Sequence, residues 1–156
     1  MRTLTKIFLT TSMVGAPLIA GALRVEISDP AGNAEAVAMK AVLVARTTAC
    51  HSPEKSVVTA TAEGLVNGKR QSIPLKLTAL SSPGTFAVTE QWPHRGAWVV
   101  KLVATNPDYK SYATGAIARV TGGSVDTKSV QNYFRAPAAQ DVKAALEGGS
   151  LSAAGY

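Results

Sequence analysis

Few side chains in this chain could bind a metal ion, and two of them are adjacent. The single cysteine, Cys50, precedes His51, and the only other histidine is His94. Thiolate and imidazole groups bind soft or borderline ions such as copper and zinc. Because neighbouring residues of a strand point to opposite faces, Cys50 and His51 would share one ion only from a loop, which Ser52-Pro53 predicts here. Cys50, His51 and His94 are therefore the candidate metal ligands, and copper is the ion we consider.

A purely structural role is the competing interpretation of the same residues. Lone cysteines are commonly buried packing residues, and no closed zinc-ligand spacing accompanies Cys50. A c-type haem site needs a second cysteine before the histidine, and the segment Thr47-Thr48-Ala49-Cys50-His51 lacks it. One cysteine excludes an internal disulfide and leaves a disulfide to another chain open. On this interpretation the protein has no cofactor, and copper is the alternative.

The sequence contains no arrangement of residues that is typical of an enzyme active site. The chain contains no Gly-x-Ser-x-Gly motif, and Ser52 beside His51 is only a sequence neighbour. The carboxylates are dispersed, mostly near turns, so no pair of general acid and general base can be assigned. We therefore predict a protein that is not an enzyme.

Aromatic residues are the second group of candidate functional side chains. Trp98 lies in a strongly apolar strand and is predicted to be core. Trp92, next to Pro93, is either a binding platform or a lid on the end of the core. Four further aromatics either form a contact patch or seat the C-terminal segment: Tyr109, Tyr112, Tyr133 and Phe134. We predict Trp92, Tyr109 and Tyr112 as partner-binding residues.

Apolar alternation with a period of two predicts the strands that must position these residues. Val57 to Val66 and Arg70 to Leu80 flank Asn67-Gly68, the residue pair typical of a tight hairpin turn. Pro74 removes a backbone donor from the second arm, which indicates an edge position or a bulge. The stretch from Pro83 to Leu102 alternates on both sides of a polar connection and predicts another hairpin.

The remaining elements complete an antiparallel sandwich. Leu23 to Ile27 alternates as a first strand. Val37 to Arg46 is apolar at nearly every position, as in a strand covered on both faces, although its alanine-rich part is also compatible with a helix. Tyr109 to Val120 is a further strand, and Lys128 to Phe134 is a strand or an extended segment. Ala138 to Glu147 has helix-forming composition before Gly148-Gly149. The sequence predicts an all-β, immunoglobulin-like antiparallel β-sandwich of about seven strands with a short C-terminal helix.

The first 22 residues have the three parts of an export signal. Arg2 and Lys6 form a basic start, Ile7 to Ala20 is mostly apolar, and Ala20-Gly21-Ala22 supplies small residues for cleavage. The apolar run is shorter than a membrane span requires, although an uncleaved anchor is an alternative. We predict a signal peptide over 1–22, a sandwich domain over 23–121 and a C-terminal extension over 122–156. The mature chain would be periplasmic or secreted, without an integral membrane span.

Charge argues against nucleic acid as a partner. Of the 16 basic residues, Arg2 and Lys6 would leave with the signal, so 14 remain against 10 acidic residues, a charge of +4. These charges are scattered, and Lys69-Arg70 is the only basic doublet. The sequence therefore predicts no continuous stripe of basic residues that could bind along a phosphate backbone. A protein partner is the prediction, and the oligomeric state stays open.

The middle of the chain resembles a group of small exported domains. The residues that carry the resemblance are the turn Pro83-Gly84, the strand aromatic Phe86 and the strand start Gly96-Ala97-Trp98. They are similar to FixH-like and YtkA-like domains, whose immunoglobulin-like relatives are often linked with copper handling or assembly of respiratory oxidases. Copper-binding sandwiches of the CopC type have a histidine at the mature N-terminus, where Leu23 stands here, and Met39 is the only methionine after the predicted cleavage.

Two functions follow from these observations. The first is an exported, non-enzymatic binding or accessory module that contacts another periplasmic or membrane protein. The alternative is a periplasmic copper-binding or copper-delivery protein that uses His51, His94 and Cys50.

Overall fold

The computed structural model describes residues 22–49, 52–108, 112–121 and 124–148. Within them the chain forms nine antiparallel strands in two sheets and two short α-helices. The elements are β1 (Arg24–Ser28), α1 (Ala34–Ala38), β2 (Ala41–Thr48), β3 (Val57–Val66), β4 (Lys69–Leu75), β5 (Leu77–Ala79), β6 (Thr85–Thr89), β7 (Ala97–Thr105), β8 (Ala113–Thr121), β9 (Ser124–Tyr133) and α2 (Ala139–Leu146). In the described part of the chain, neither helix has the length and apolar character that crossing a membrane requires.

The strand order is that of an immunoglobulin-like sandwich with two added strands. One sheet has the order β1-β2-β6-β5, and the other has the order β4-β3-β7-β8-β9. Without β4 and β9, which extend the second sheet at its two edges, the remaining seven strands have the constant-domain arrangement of four strands facing three. The predicted all-β sandwich with a short C-terminal helix is confirmed, and nine strands replace the expected seven.

The hairpin at Asn67-Gly68 joins β3 to β4 as predicted. Asn67 has a φ of 50° and Gly68 a φ of 74°. A type I′ turn requires positive φ at both central positions, and these two residue types adopt it readily. β4 is the edge strand of its sheet, so Pro74 is tolerated where no neighbour needs its missing N–H.

The arm predicted as one strand from Arg70 to Leu80 is divided between the two sheets. Leu75 pairs with Ala60 in the five-stranded sheet, whereas Leu77 pairs with Val88 in the four-stranded sheet. Only Lys76 separates them. The chain therefore passes from one sheet to the other within one residue, and Lys76 pairs with no strand of either sheet.

The expected hairpin from Pro83 to Leu102 is wrong. β6 pairs with β2 and β5, whereas β7 pairs with β3 and β8 in the opposite sheet. The seven residues between the two strands are long enough to cross the gap of about 10 Å between packed sheets. Alternation correctly indicated that each strand has a core face, but it carries no information about which sheet the strand joins.

The main core lies between the sheets and is built from one face of most of the strands. Its members include both tryptophans and the following aliphatic residues: Leu23, Val25, Leu43, Val88, Val100 and Leu102. Small residues on β3 and β8 let the sheets approach closely, because Ala60, Ala62, Ala116 and Ala118 also face this core. The first residue after the predicted signal is thus part of the core.

Each helix covers the outer face of a different sheet. Ala36 of α1 packs with Val44 and Ala87, which alternate with the core residues of β2 and β6. Val142 and Ala145 of α2 pack on the outer face of β7 and β8. Burial on both faces explains the nearly continuous apolar runs in β2 and β7.

Several boundaries differ from the sequence interpretation, and one of them is the start of β8, which is Ala113 instead of the predicted Tyr109. Val37 and Ala38, predicted as the start of a strand, belong to α1, whose first turn is capped by Asn33 Oδ1 accepting from Ala36 N at 3.0 Å. The segment predicted from Lys128 as a strand or extended piece is the second half of β9. β9 pairs with β8 on both sides of an irregularity between Ile117 and Arg119.

Candidate functional site

Of the three predicted metal ligands, the structure describes only His94. We call the end of the sandwich where β1 begins the proximal end, and the opposite end the distal end. Cys50 and His51 lie outside the described residues. Ser52, which follows them, accepts a hydrogen bond from Asn106 Nδ2 through its carbonyl oxygen at 3.0 Å. Asn106 directly follows β7 at the proximal end.

His94 lies at the distal end, in the connection between β6 and β7. β7 has nine residues, so its two ends are eight steps apart, which is about 26 Å at roughly 3.3 Å per residue. The side chain of His94 is 85% exposed, and its Nδ1 is 3.1 Å from Glu90 Oε1. No three His, Cys, Asp or Glu side chains in the described ranges form a group able to hold a metal ion. The structure therefore does not bring His94 beside the described neighbours of Cys50 and His51.

Trp92 is buried and belongs to the main core. Its Nε1 atom is inaccessible and has no hydrogen-bond partner among the described residues. This placement favours the lid interpretation, because the indole closes the core at the distal end. Trp98 is core as predicted, and its Nε1 donates to the carbonyl oxygen of Arg95 at 2.9 Å.

The C-terminal aromatics that the structure describes lie at the proximal end. Tyr109 is outside the described residues, and Tyr112 is half-buried and packs against the main core. Tyr133, at the end of β9, is opposite Gly115, and its carbonyl oxygen accepts a hydrogen bond from Thr114 Oγ1 at 2.7 Å. The next residue, Phe134, is 60% exposed.

Two arginine–aromatic pairs form a surface at this end, which we call the terminal aromatic surface and define as Arg24, Tyr133, Phe134 and Arg135. The guanidinium carbon of Arg24 lies 5.4 Å from the centre of the Phe134 ring. The guanidinium carbon of Arg135 lies 5.1 Å from the centre of the Tyr133 ring. Both distances are within the range of a cation–π contact.

Arg135 is fixed by the start of helix α2. Its Nη2 donates to Asp141 Oδ1 at 3.0 Å, and its Nη1 reaches the other carboxylate oxygen, which gives a two-point pair. Asp141 Oδ2 also accepts from the backbone N of Ala138 at 2.6 Å and so caps the helix. The hydrogen bond from Arg135 lowers the pKa of Asp141, and it outweighs the opposing effect of burial. The same pair raises the pKa of Arg135.

Tyr133 packs with the residues that α2 covers on the outer face of the five-stranded sheet, beside this ion pair. Burial and the negative charge of Asp141 raise the pKa of the Tyr133 hydroxyl, while Arg135 opposes them. The hydroxyl donates to Gln131 Oε1 at 2.8 Å. Tyr133 is therefore a neutral, oriented ring that directly precedes the exposed Phe134 in the chain.

Two depressions adjoin the terminal aromatic surface. A small cavity of about 80 Å³ is lined by Val25, Glu26, Thr114 and Asn132 together with Arg24, Tyr133 and Phe134. An open groove of about 490 Å³ continues between the neighbouring edges of β1 and β9, with Arg46 and Val130 in its walls. The arrangement offers an aromatic ring, a cationic group and a groove, which are features of a binding surface.

The sequence indicated only part of this surface. Tyr133 and Phe134 were candidates for a contact patch, whereas Arg24 and Arg135 carried no local signal. Arg24 and Phe134 are far apart in the chain, and only the packing of β1 near β9 brings them together. A search of protein-family models finds no match to the chain, and comparisons with curated proteins and with solved structures find no significant match.

Proposed function

We propose that the protein is an exported, non-enzymatic binding or accessory module that contacts another periplasmic or membrane protein through the terminal aromatic surface. The observation that carries the proposal is the exposed Phe134 ring with the guanidinium of Arg24 stacked on it. Aromatic and arginine side chains supply most of the binding energy in many protein interfaces. A stacked pair presents both types at one point.

The surface is ordered before a partner arrives. Tyr133 is held through its carbonyl oxygen and its hydroxyl, and Arg135 is held by Asp141. Phe134 lies between these two fixed residues in the chain. Binding through a preordered surface loses little conformational entropy, which favours recognition by this end of the sandwich.

The charges of the two arginines indicate the chemistry of the partner. Arg135 is neutralised by Asp141, whereas Arg24 forms no ion pair within the described ranges. A guanidinium stacked on a ring still presents donors at its edge, and carboxylates are its preferred acceptors. The partner segment is therefore expected to combine an acidic group with an apolar side chain that packs on Phe134.

Site-specific photo-crosslinking tests this function. A photoreactive phenylalanine analogue at position 134 of the full chain should give one discrete adduct in cells that express the protein at its natural level. The same analogue at Val37, a 52% exposed position on α1, is the matched control and should give none. Arg24→Glu should remove the adduct at position 134 without changing the thermal midpoint of the isolated protein.

Two results would contradict the proposal. Equal adducts from positions 134 and 37 would mean that capture reflects exposure alone. An adduct that survives Arg24→Glu would mean that the arginine does not contribute to recognition.

Export is part of the same proposal and is tested separately. The protein recovered from the cell envelope or the medium should begin at Leu23, as measured by the intact mass. A cytoplasmic protein that retains residues 1–22 would contradict export.

The resemblance to FixH-like and YtkA-like domains makes an oxidase-assembly component a candidate for the partner. The copper alternative, with Cys50, His51 and His94, gains no supporting contact in the described part of the chain. It remains a prediction from the sequence, and we do not advance it as a second function.

A further inference from the structure

The predicted cleavage site of the export signal directly adjoins the core. Cleavage after Ala22 would make Leu23 the first residue, and Leu23 is 0% exposed. Val25, two residues later, is 1% exposed. Strand pairing begins at Arg24, which lies opposite Thr48 of β2. There is no spacer between the scissile bond and the folded domain.

A peptidase must take the residues on both sides of the scissile bond into its own cleft. In the folded domain Leu23 and Val25 are packed in the main core with Leu43 and Ala45 of β2. Access to the bond between Ala22 and Leu23 therefore requires β1 to leave the sandwich. β1 pairs with β2 alone, so its opening breaks the ladder on one side only.

We propose that the signal peptidase site at Ala22–Leu23 is available only while β1 is undocked, so that processing must precede closure of the sandwich. The proposal rests on the export proposed above. The step itself is hydrolysis: water adds across the amide, leaving a carboxylate on Ala22 and an ammonium group on Leu23. A precursor whose sandwich closes before cleavage would remain joined to its apolar N-terminal segment.

Cleavage of the full-length precursor in two conformational states tests the order of events. The precursor is purified in detergent with its N-terminal segment intact, and one half is unfolded in urea. Both halves are then diluted into identical mixtures with purified signal peptidase, and mass spectrometry follows the release of the chain that begins at Leu23. The folded precursor should be cleaved at least about tenfold more slowly, because cleavage is limited by the population of the open form.

A spacer variant distinguishes occlusion of the bond by the docked β1 from other causes of slow cleavage. Six glycine and serine residues inserted between Ala22 and Leu23 move the scissile bond away from the core and leave the domain unchanged. The folded spacer variant should be cleaved as fast as its unfolded form. Equal rates for the two states of the natural precursor, or slow cleavage of the folded spacer variant, would overturn the proposal. Failure of cleavage in every sample would instead contradict the signal peptide, and with it the export on which the proposal rests.

Discussion

Gly64 on β3 lies directly opposite Trp98 on β7, and the indole ring occupies the space that a side chain at position 64 would need. A Cβ atom there would overlap three carbon atoms of the ring. The ring is also fixed at its other end by the hydrogen bond from its Nε1 to Arg95. The glycine therefore allows a large core residue on the neighbouring strand.

We expect Gly64→Ala to destabilise the protein by about 1–3 kcal/mol, because overpacking a core displaces side chains or backbone. The measurement is urea unfolding followed by tryptophan fluorescence. Gly32→Ala is the matched control, since no atom lies within 4 Å of the position that its new Cβ would take, and it should change stability little.

A double-mutant cycle links the effect to the ring. Combined with Trp98→Leu, Gly64→Ala should cost much less than it does alone, because residues in contact are energetically coupled. Additive losses in free energy would show that Gly64 is needed for another reason, such as the geometry of β3.

Much of the fold was predictable because its signals are local. Asn67-Gly68 specifies its turn through the backbone conformation of two residues. Pro74 indicates an edge because proline cannot donate to a neighbouring strand. Trp98 was correctly predicted as core from the apolar strand around it.

Other features depend on contacts that a local pattern does not encode. The sheet that each of β6 and β7 joins is decided by the connection from Glu90 to Gly96, whose polar composition resembles that of a hairpin loop. The sequence did not identify α1 as a helix, because alanine-rich segments are compatible with a strand or a helix. The pairing of Arg24 with Phe134 requires the whole sandwich, so no sequence spacing could reveal it.

Asp141 should make stability depend on acid pH. Its pKa is lowered in the folded protein, so the stabilisation it provides is present above its ordinary value of about 3.9 and is lost as the pH falls through the lowered value. We expect Asp141→Asn to cost about 1–2 kcal/mol at pH 7, because it removes the negative charge that strengthens the hydrogen bonds from Arg135 and Ala138. The difference from the natural protein should shrink below about pH 4.

Unfolding in urea across pH 3 to 7 measures this difference. Glu147→Gln is the control, because its pair with Lys143 is exposed and 3.9 Å long. It should change stability little at any pH. A pH-independent effect of Asp141→Asn would indicate that packing, rather than charge, accounts for its role.

The side chain of Gln91 should stabilise the backbone at Lys76, where the chain passes from one sheet to the other. Its Oε1 accepts from Lys76 N at 2.8 Å, and its Nε2 donates to the carbonyl oxygen of Lys76 at 3.0 Å. The side-chain amide thus replaces the strand neighbour that Lys76 lacks. Gln91→Ala should expose both backbone groups to solvent and destabilise the protein by about 1–2 kcal/mol.

Hydrogen exchange gives a local test of the same contact. The amide of Lys76 should exchange at least about tenfold faster in Gln91→Ala, as expected for loss of roughly 1.4 kcal/mol of local protection. Gln71→Ala, an exposed change on β4, should leave it unchanged. Unaltered protection of Lys76 in Gln91→Ala would mean that packing alone maintains the crossing.

Glu63 and Lys101 form an ion pair on the outer face of the five-stranded sheet, with 3.1 Å between Oε1 and Nζ. Burial raises the pKa of Glu63, but the hydrogen bonds from Lys101, Ser72 and Thr61 and the charge of Lys101 outweigh it, so the pKa lies below its ordinary value. The pair therefore stabilises the fold above about pH 4.3, and this contribution is lost as the pH falls through the lowered pKa.

We expect Glu63→Gln to destabilise the protein by about 1–3 kcal/mol at pH 7, because it leaves a partly buried ammonium group without its counter-charge. Replacing both residues, as Glu63→Leu with Lys101→Met, should recover most of the loss, since apolar pairs often substitute for partly buried ion pairs. Asp108→Asn, which breaks the exposed pair with Lys55, is the control and should have little effect. If the double variant is less stable than Glu63→Gln, the hydrogen bonds from Thr61 and Ser72, rather than the charge of Lys101, determine the contribution of Glu63.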